Sequence, residues 1–200
     1  MSTARRRLDP EQRRAQLLDI GARLFAEHPY EDVWIEEVAE LAGVSRGLLY
    51  HYFPNKRDFF AAIVQRASDQ LLSATEIDPN LPMAEQVSAG LDAYIEHFIK
   101  NPHGVLAVNR GALSGDQTIQ AIIDDELAVL RRRMLDALAL HGHERDVAGA
   151  AVLGWLAFTR AVCVNWVAQQ TMSRDEVREL CLRTLVGALG STVHLEEPPR

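Results

Sequence analysis

The segment from Ile35 to Pro54 constrains the fold most, because its apolar and small residues have the spacing of a helix-turn-helix. Gly43 stands at the turn, where the chain needs a residue without a Cβ, and Ser45 is placed to cap the second helix. The inward positions of the two helices are apolar or small: Val38, Ala39, Ala42, Val44, Leu49 and Tyr52. The pattern predicts a second helix with one face free to enter a DNA major groove. The alternative is a helical hairpin inside an ordinary all-α protein.

Helical periodicity continues along the chain and no segment alternates as a strand does, so we predict an all-α protein. Helices are expected at about 10–28, 56–74, 81–100, 116–140, 146–170 and 173–190, with a poorly defined segment before Gly115. The predicted order is a flexible basic arm (1–9), a three-helix head (10–56, motif at about 34–54), a linker helix and loop (57–80), a second helical domain (81–195) and a disordered tail (196–200).

The net charge of −7 is unevenly distributed. Residues 1–66 hold ten basic and ten acidic side chains, which leaves eleven basic and eighteen acidic residues for the remainder. Because DNA affinity depends on local cationic contacts with phosphates, a neutral head with an arginine-rich start is compatible with DNA binding. The acidic remainder is expected to discourage nonspecific coating of DNA.

Other classes of protein are disfavoured. No apolar run reaches the length of about 18 residues that crosses a membrane, and no segment is ordered like a signal peptide, so we expect a cytoplasmic protein without membrane contact. The two cysteines, Cys163 and Cys181, are expected to be buried thiols. His141, His143 and Glu144 fall in a predicted interhelical turn, which favours solvation over metal binding. Without a nucleophile motif or phosphate loop, we expect no enzyme, cofactor or metal.

The stretch from Gly43 to Lys56, with Ile35, Val38 and Ala39 before it, resembles the DNA-binding domain of TetR-type (tetracycline-repressor-like) transcriptional regulators. The detailed resemblance covers roughly residues 12–66; length and helical pattern fit the family beyond it. The chain departs from the common family pattern at four positions, Trp34, Leu48, Tyr52 and Arg57. Two of them, Trp34 and Leu48, lie where DNA contacts are often made, so the resemblance does not identify the operator sequence.

Several residues are predicted to contact DNA. Arg46 is suited to guanine or phosphate, Gly47 to close backbone approach, and Leu48 to a thymine methyl group. The resemblance implies that Tyr50 and Lys56 bind backbone phosphates, although a solvated Lys56 is the alternative. The remaining predicted contacts are Ser45, His51 and the arm residues Arg5, Arg6 and Arg7, which either reach a minor groove or only increase solubility.

The last two predicted helices carry more apolar surface than the flank of one monomer normally exposes. The resemblance implies that they pair with a second copy as a four-helix bundle, which makes the chain a homodimer suited to a palindromic operator. A monomer with a fully internal core is the alternative. The predicted interface residues are Ala150, Ala151, Gly154, Val162, Trp166, Leu180, Leu185 and Leu189.

The resemblance also implies a small-molecule effector site within residues 81–195. Candidate lining residues are mostly apolar with a few polar groups: Tyr94, His97, Phe98, Asn109, Arg110, Met134, Trp155, Phe158, Thr159 and Cys163. Core packing is the alternative for each of them. Arg110 either binds an acidic ligand or pairs with a distant carboxylate.

These features together predict a homodimeric repressor that a small apolar or amphipathic ligand releases from its operator. A DNA-binding activator and a regulator without an effector remain alternatives, because the sequence does not distinguish them. A helical ligand carrier or enzyme that does not bind DNA fits less well, since the helix-turn-helix and the arginine arm are both intact.

Overall fold

The computed structural model describes residues 8–76, 78 and 80–190. Within these residues the chain is helical and contains no strand, as the sequence predicts. The helices are α1 (Pro10–Glu27), α2 (Ile35–Ala42), α3 (Arg46–Tyr52), α4 (Lys56–Ala74), α5 (Met83–Lys100), α6 (Pro102–Asn109), α7 (Gln117–Ala137), α8 (Gly142–Gln169) and α9 (Arg174–Leu189). A single 3-10 turn at Tyr30–Asp32 joins α1 to α2.

Local sequence signals fix the helix ends of the head. Asp9 caps α1 by accepting from the Gln12 amide at 2.8 Å, and the Gln12 side chain accepts from the Asp9 amide in return. Gly43 ends α2 in the left-handed region at φ 65°, which strains a residue with a Cβ. Ser45 caps α3 by accepting from the Leu48 amide. The helix-turn-helix therefore has the geometry that its sequence predicts.

The apolar core of the head includes side chains from outside residues 10–56. Leu17, Phe25, Val38 and Leu49 pack with Phe59 and Phe60 of α4, and the same cluster includes Val108 of α6 and Ile119 and Ile123 of α7. The α1–α4 contact is so close that a Cβ on Gly21 would lie 2.3 Å from Phe59 Cζ. The head is therefore packed against the second domain rather than joined to it by a free linker. The domain boundaries that the sequence predicts at residues 56 and 81 remain predictions.

A second core lies between α5, α7, α8 and α9. Its centre is formed by fully buried residues such as Ile95, Val152, Val177 and Leu185. The Trp155 indole N–H donates to the Cys181 carbonyl at 2.8 Å and joins α8 to α9 within this core. Both cysteines are buried and free, and burial raises the pKa of Cys163 to about 12.

Three details of the second domain differ from the sequence prediction. The segment before Gly115 contains α6, which starts at Pro102 in the first helical position, where the missing amide hydrogen costs nothing. Helix α7 ends at Ala137, three residues early, and Ala139 has φ 51°. Helix α8 starts at Gly142, so His143 and Glu144 lie in its first turn rather than in a loop.

Helix α8 is long and apolar enough to cross a membrane when only its length and composition are considered, with a mean hydropathy of 1.8 in its most apolar window. A helix at the centre of a helical bundle passes the same test. Since one side of α8 packs on α7 and α9, its composition fits an internal helix of this fold.

Candidate nucleic-acid interface and ligand cavity

Helix α3 presents most of its predicted DNA contacts to solvent. Arg46, Gly47, Tyr50 and His51 are exposed, whereas Leu48 is half-buried. Arg46 lies 3.8 Å from the Glu40 carboxylate, and both side chains are exposed, so the guanidinium is available to another partner. A Cβ on Gly47 would meet nothing closer than Ser45 Oγ at 4.0 Å, which leaves this side of the helix open to close approach.

The Tyr50 hydroxyl donates to Glu36 Oε1 at 2.6 Å and links α3 to the first turn of α2. This hydrogen bond lowers the pKa of Glu36 and raises the pKa of Tyr50. The phenol is thus held at the exposed edge between the two helices. A phosphate oxygen would have to share or replace the Glu36 carboxylate as its acceptor.

Lys56 starts α4, and its ammonium group lies 4.5 Å from the centre of the Tyr30 ring. Its Nζ also donates to the Glu31 carbonyl at 3.2 Å. Partial burial lowers the pKa of Lys56, while the acidic side chains of Glu31 and Asp32 oppose that shift. These contacts hold the ammonium group against the 3-10 turn at Tyr30–Asp32 instead of leaving it on a free side chain.

Three further predicted contacts, Arg5, Arg6 and Arg7, lie outside the described residues. The Ser45 hydroxyl is occupied as the cap of α3, with its oxygen accepting from Leu48. Trp34 precedes α2 and is 73% exposed, which places a large aromatic ring on the surface of the head.

A cavity of about 80 Å³ lies between α4, α5, α7 and α8. Four predicted residues line it, namely Tyr94, Met134, Trp155 and Thr159. The rest of the lining is mostly apolar, with Arg133 as its charged side chain: Thr75, Met83, Gln86, Val87, Gly90, Leu91, Leu130, Arg133 and Leu156. We call this space the α5 cavity.

A second cavity, of about 60 Å³, lies between the head and α5 to α8 and contains three other predicted residues, His97, Phe98 and Asn109. Arg160 Nε donates to Asn109 Oδ1 at 3.1 Å, and the buried carboxyl of Glu126 lines the same space. Burial, with a smaller effect from Arg160, lowers the pKa of His97 to about 4, so its imidazole is neutral at pH 7.

The other three predicted ligand residues line neither cavity. Arg110 is exposed and donates to Asn165 Oδ1 at 3.3 Å, so it reaches neither cavity, and its pairing with an acidic ligand stays a prediction. Phe158 is half-buried at the edge of the second core, and Cys163 is fully buried within it. The arginine that reaches the α5 cavity is Arg133 instead.

The family model described as bacterial regulatory proteins of the tetR family matches residues 17–63, which include the whole helix-turn-helix. The transcriptional repressor KstR of Rhodococcus jostii is 25% identical over 88% of this chain and 84% of its own length. The transcriptional activator FasR of Mycolicibacterium smegmatis is 34% identical, but the match covers 46% of this chain and 44% of FasR. The comparisons support a TetR-type regulator, with the tetR family domain at residues 17–63.

Solved structures extend the likeness to the second domain of this TetR-type protein. A tetR-family regulator from Streptomyces coelicolor superposes with a TM-score of 0.81, at 25% identity, over 90% of this chain and 82% of the other. FadR of Bacillus subtilis, solved in complex with stearoyl-CoA, shares the fold with a TM-score of 0.65 at 17% identity, over 90% and 99% of the two chains. The family consists of DNA-binding transcription regulators and not of enzymes.

One side of α8 and α9 in this TetR-type chain exposes small and apolar residues. Ala150 and Gly154, both predicted interface residues, are exposed, while Ala151, Val162, Trp166 and Leu180 are half-buried. Leu185 and Leu189 are only 1% and 2% exposed because they pack inside the monomer, so they are not available to a partner. The exposed set also includes residues that the prediction omitted: Val147, Leu153, Ala157, Ala161 and Val186.

The prediction also missed several lining residues of the α5 cavity, although the sequence contained a signal for some of them. Gly90, Gln86 and Met83 lie four, eight and eleven residues before Tyr94, so they share its face of α5. Extending the helical phase from Tyr94 would have identified them. No local pattern marks Arg133, because its role depends on where α7 crosses α4 and α5.

Proposed function

We propose that this TetR-type chain is a homodimeric cytoplasmic repressor that binds a two-fold-related operator and leaves it when a small apolar or amphipathic ligand fills the α5 cavity. The observation that supports this most is the position of the cavity. Thr75 at the end of α4 forms part of its wall, and the same helix starts at Lys56, four residues after the end of α3. A ligand that displaces Thr75 therefore acts on the helix that carries the head.

The direction of the effect follows from differential binding. A ligand releases DNA only if it binds more tightly to the conformation in which the two heads do not fit their half-sites. A preference of about a hundredfold, or roughly 2.7 kcal/mol, lowers operator affinity by the same factor. The stearoyl-CoA in the structure of FadR supports a long apolar ligand for this fold.

The exposed stripe on α8 supports the dimer. Val147, Ala150, Gly154, Ala157 and Ala161 recur at spacings of three and four residues and form one continuous face. Small side chains let two helices pack closely, and a two-fold axis through this face would present two copies of α3 to successive major grooves.

For the DNA contacts, we propose that Arg46, Gly47 and Leu48 read bases, while Tyr50 and Lys56 bind phosphates. Ser45, His51 and the Arg5–Arg7 arm complete the proposed set. The exposure of α3 and the fixed position of the Lys56 ammonium group support these assignments.

A selection from random duplexes tests the regulator, and a bound motif with two-fold symmetry is the expected result. In vitro transcription from a promoter that carries the motif then distinguishes repression from activation, the alternative named for FasR. If no symmetric motif is enriched, the proposal of a dimer on a palindromic operator is wrong.

The effector site is tested with Gly90→Leu, which fills the α5 cavity at a position where a Cβ meets no atom within 4 Å. The matched control is Ala84→Leu on the exposed side of the same helix. We expect the Gly90→Leu protein to bind the operator but to resist release by straight-chain acids, alcohols and thioesters that release the control. Equal release of both proteins would place the effector site elsewhere.

A further inference from the structure

The buried polar atoms of the α5 cavity indicate what its ligand must offer. Among the residues that the structure describes, three buried side-chain oxygens have no hydrogen-bond partner: Gln86 Oε1, Tyr94 OH and Thr159 Oγ1. All three belong to the lining of the α5 cavity. An unpaired buried polar group is costly, so its repeated occurrence around one space points to a ligand that pairs with these atoms.

Two of the oxygens mark one end of the cavity. Tyr94 of α5 and Thr159 of α8 both line the cavity and are 5% and 2% exposed. The Thr159 hydroxyl lies beside the Cys181 thiol, which is a weak partner. Burial raises the pKa of Tyr94, and the Arg160 guanidinium near its hydroxyl lowers that pKa by a smaller amount. The two groups do not meet hydrogen-bond geometry, however, and Arg160 Nε donates to Asn109 instead. Since each hydroxyl both donates and accepts, the pair suits a hydroxyl or carbonyl group of a ligand.

The cavity also extends to the end of α4, where its lining is cationic. Arg133 Nη1 donates to the Leu72 carbonyl and to Thr75 Oγ1 at the end of α4, which leaves the other guanidinium N–H groups for a ligand. Within the described residues, no carboxylate lies within 4.0 Å of Arg133, and the lining contains no acidic side chain. Arginine pairs with carboxylates through two parallel hydrogen bonds, whereas a buried amine would find no counter-charge here.

The distance between the two ends sets the length of the ligand. Met83 and Tyr94 both line the cavity and are eleven residues apart on α5, which is about 16 Å at the rise of an α-helix. The rest of the lining is mostly apolar. Met83 and Met134 are flexible enough to make room for a chain whose volume exceeds the cavity volume of about 80 Å³. Roughly a dozen methylene groups would span this distance.

We propose that the effector is an elongated apolar carboxylic acid whose far end carries a hydroxyl or carbonyl group, with the acid at Arg133 and the far group between Tyr94 and Thr159. This identification rests on the proposed function, since it assumes that the α5 cavity is the effector site. Gln86 also lines the cavity, and its amide nitrogen donates to the Leu81 carbonyl at 2.7 Å; the proposed ligand does not use its oxygen.

The test is calorimetric titration of the full chain with four probes of equal length: dodecanoic acid, its terminal-hydroxyl derivative, dodecanol and dodecylamine. We expect the hydroxy acid to bind about tenfold more tightly than dodecanoic acid, because it pairs with two otherwise unpaired hydroxyls. The alcohol should bind more weakly than either acid, and the amine should not bind. Equal affinity for the two acids, binding of the amine, or failure of every probe to bind would overturn the proposal.

Variants separate recognition from folding. Tyr94→Phe with Thr159→Val removes the two hydroxyls at constant shape; we expect the tenfold preference to disappear while dodecanoic acid binds as before. A preference that survives this double change would contradict the assignment. Arg133→Gln should weaken both acids about tenfold and leave dodecanol unchanged, whereas the neighbouring exposed Arg132→Gln should change nothing. Equal losses for acids and alcohol would show that Arg133 has only a structural role.

Two further measurements distinguish this proposal from the proposed function. Dodecanoyl-CoA tests the head group, and tighter binding of the thioester than of the hydroxy acid would refute the free carboxylate. Operator release is measured separately by fluorescence anisotropy. If the hydroxy acid binds as expected but leaves the operator complex intact, the ligand class stands and the release mechanism fails.

Discussion

The substitution Gly21→Ala tests the closest helix contact in the head. A Cβ at this position would lie 2.3 Å from Phe59 Cζ and 2.9 Å from Ile63 Cδ1, whereas carbon atoms normally approach to about 3.5–4.0 Å. The Phe59 ring cannot yield easily, because it is fully buried and its centre is 4.7 Å from that of Phe53 and 6.2 Å from that of Phe25. The new methyl group must therefore push α1 and α4 apart.

Two opposing effects set the size of the change. Alanine stabilises the interior of a helix by about 1 kcal/mol relative to glycine. Overpacking of a tight core costs about 1–3 kcal/mol, and a gap this short places Gly21→Ala at or beyond the upper end of that range. We expect a net loss of about 2 kcal/mol in the free energy of unfolding, which is a fall of about 4–8 °C in Tm for a chain of this length.

Urea unfolding at one fixed protein concentration measures the change, since a dimer's stability depends on concentration. The matched control is Gly90→Ala, where a Cβ meets nothing within 4 Å, and this protein should be as stable as the unmodified chain or up to about 1 kcal/mol more stable. If Gly21→Ala is as stable as Gly90→Ala, the close packing of α1 on α4 described above is wrong. Operator binding should also weaken at temperatures where the variant is folded, because α4 carries α3.

Three more predictions concern charge and assembly. Lys56→Ala should weaken DNA binding for all sequences and reduce the salt dependence of the binding constant by about two phosphate contacts per dimer. The control Lys100→Ala, at the other lysine of the chain, should have no effect. An unchanged salt dependence in Lys56→Ala would contradict the phosphate role. Ala157→Glu should convert the dimer to monomers, as measured by sedimentation at micromolar concentration. Ala128→Glu, at an exposed position of α7, should leave the dimer intact. If both variants are dimers, the interface does not include this face of α8. Glu126→Gln should stabilise the protein at neutral pH. Burial raises the pKa of Glu126 in the folded state, so as the pH rises above about 4.5 ionisation of this carboxyl lowers the free energy of the unfolded chain more than that of the folded protein. The variant and the unmodified protein should have equal stability at pH 4, and a gain of the same size at both pH values would show that ionisation is not the cause.

The sequence predicted the head well because its signals are local. A capping residue, a glycine at a left-handed turn and apolar spacing each act within a few residues, as Asp9, Gly43 and Ser45 show. Arg57 was recognised only as a departure from the family pattern. The structure explains it, since its guanidinium pairs with Asp116, the residue that caps α7, and lowers the pKa of that carboxyl.

The lining of the α5 cavity was predicted only in part because its walls come from helices far apart in the chain. Tyr94, Trp155 and Thr159 were identified as aromatic or polar residues on apolar faces, and they line the α5 cavity. The prediction chose Arg110 because no acidic residue lies near it in the sequence. The absence of such a residue does not determine the direction in which the arginine side chain points. Arg133 reaches the cavity because α7 packs against the end of α4, a contact that no sequence window contains.

The position of α4 connects the α5 cavity with the head. Its last turn contributes Thr75 to the cavity wall, and its first two turns contribute Phe59, Phe60 and Ile63 to the core of the head. These groups are about four turns apart on one rigid helix, so a displacement at Thr75 must either bend α4 or move the head with it. The tight contact between Phe59 and Gly21 makes α1 follow α4, because the interface has no space in which the helices can slide. We infer that the head moves as one body when the cavity fills, which makes the spacing of the two α3 helices in the dimer the quantity that a ligand controls.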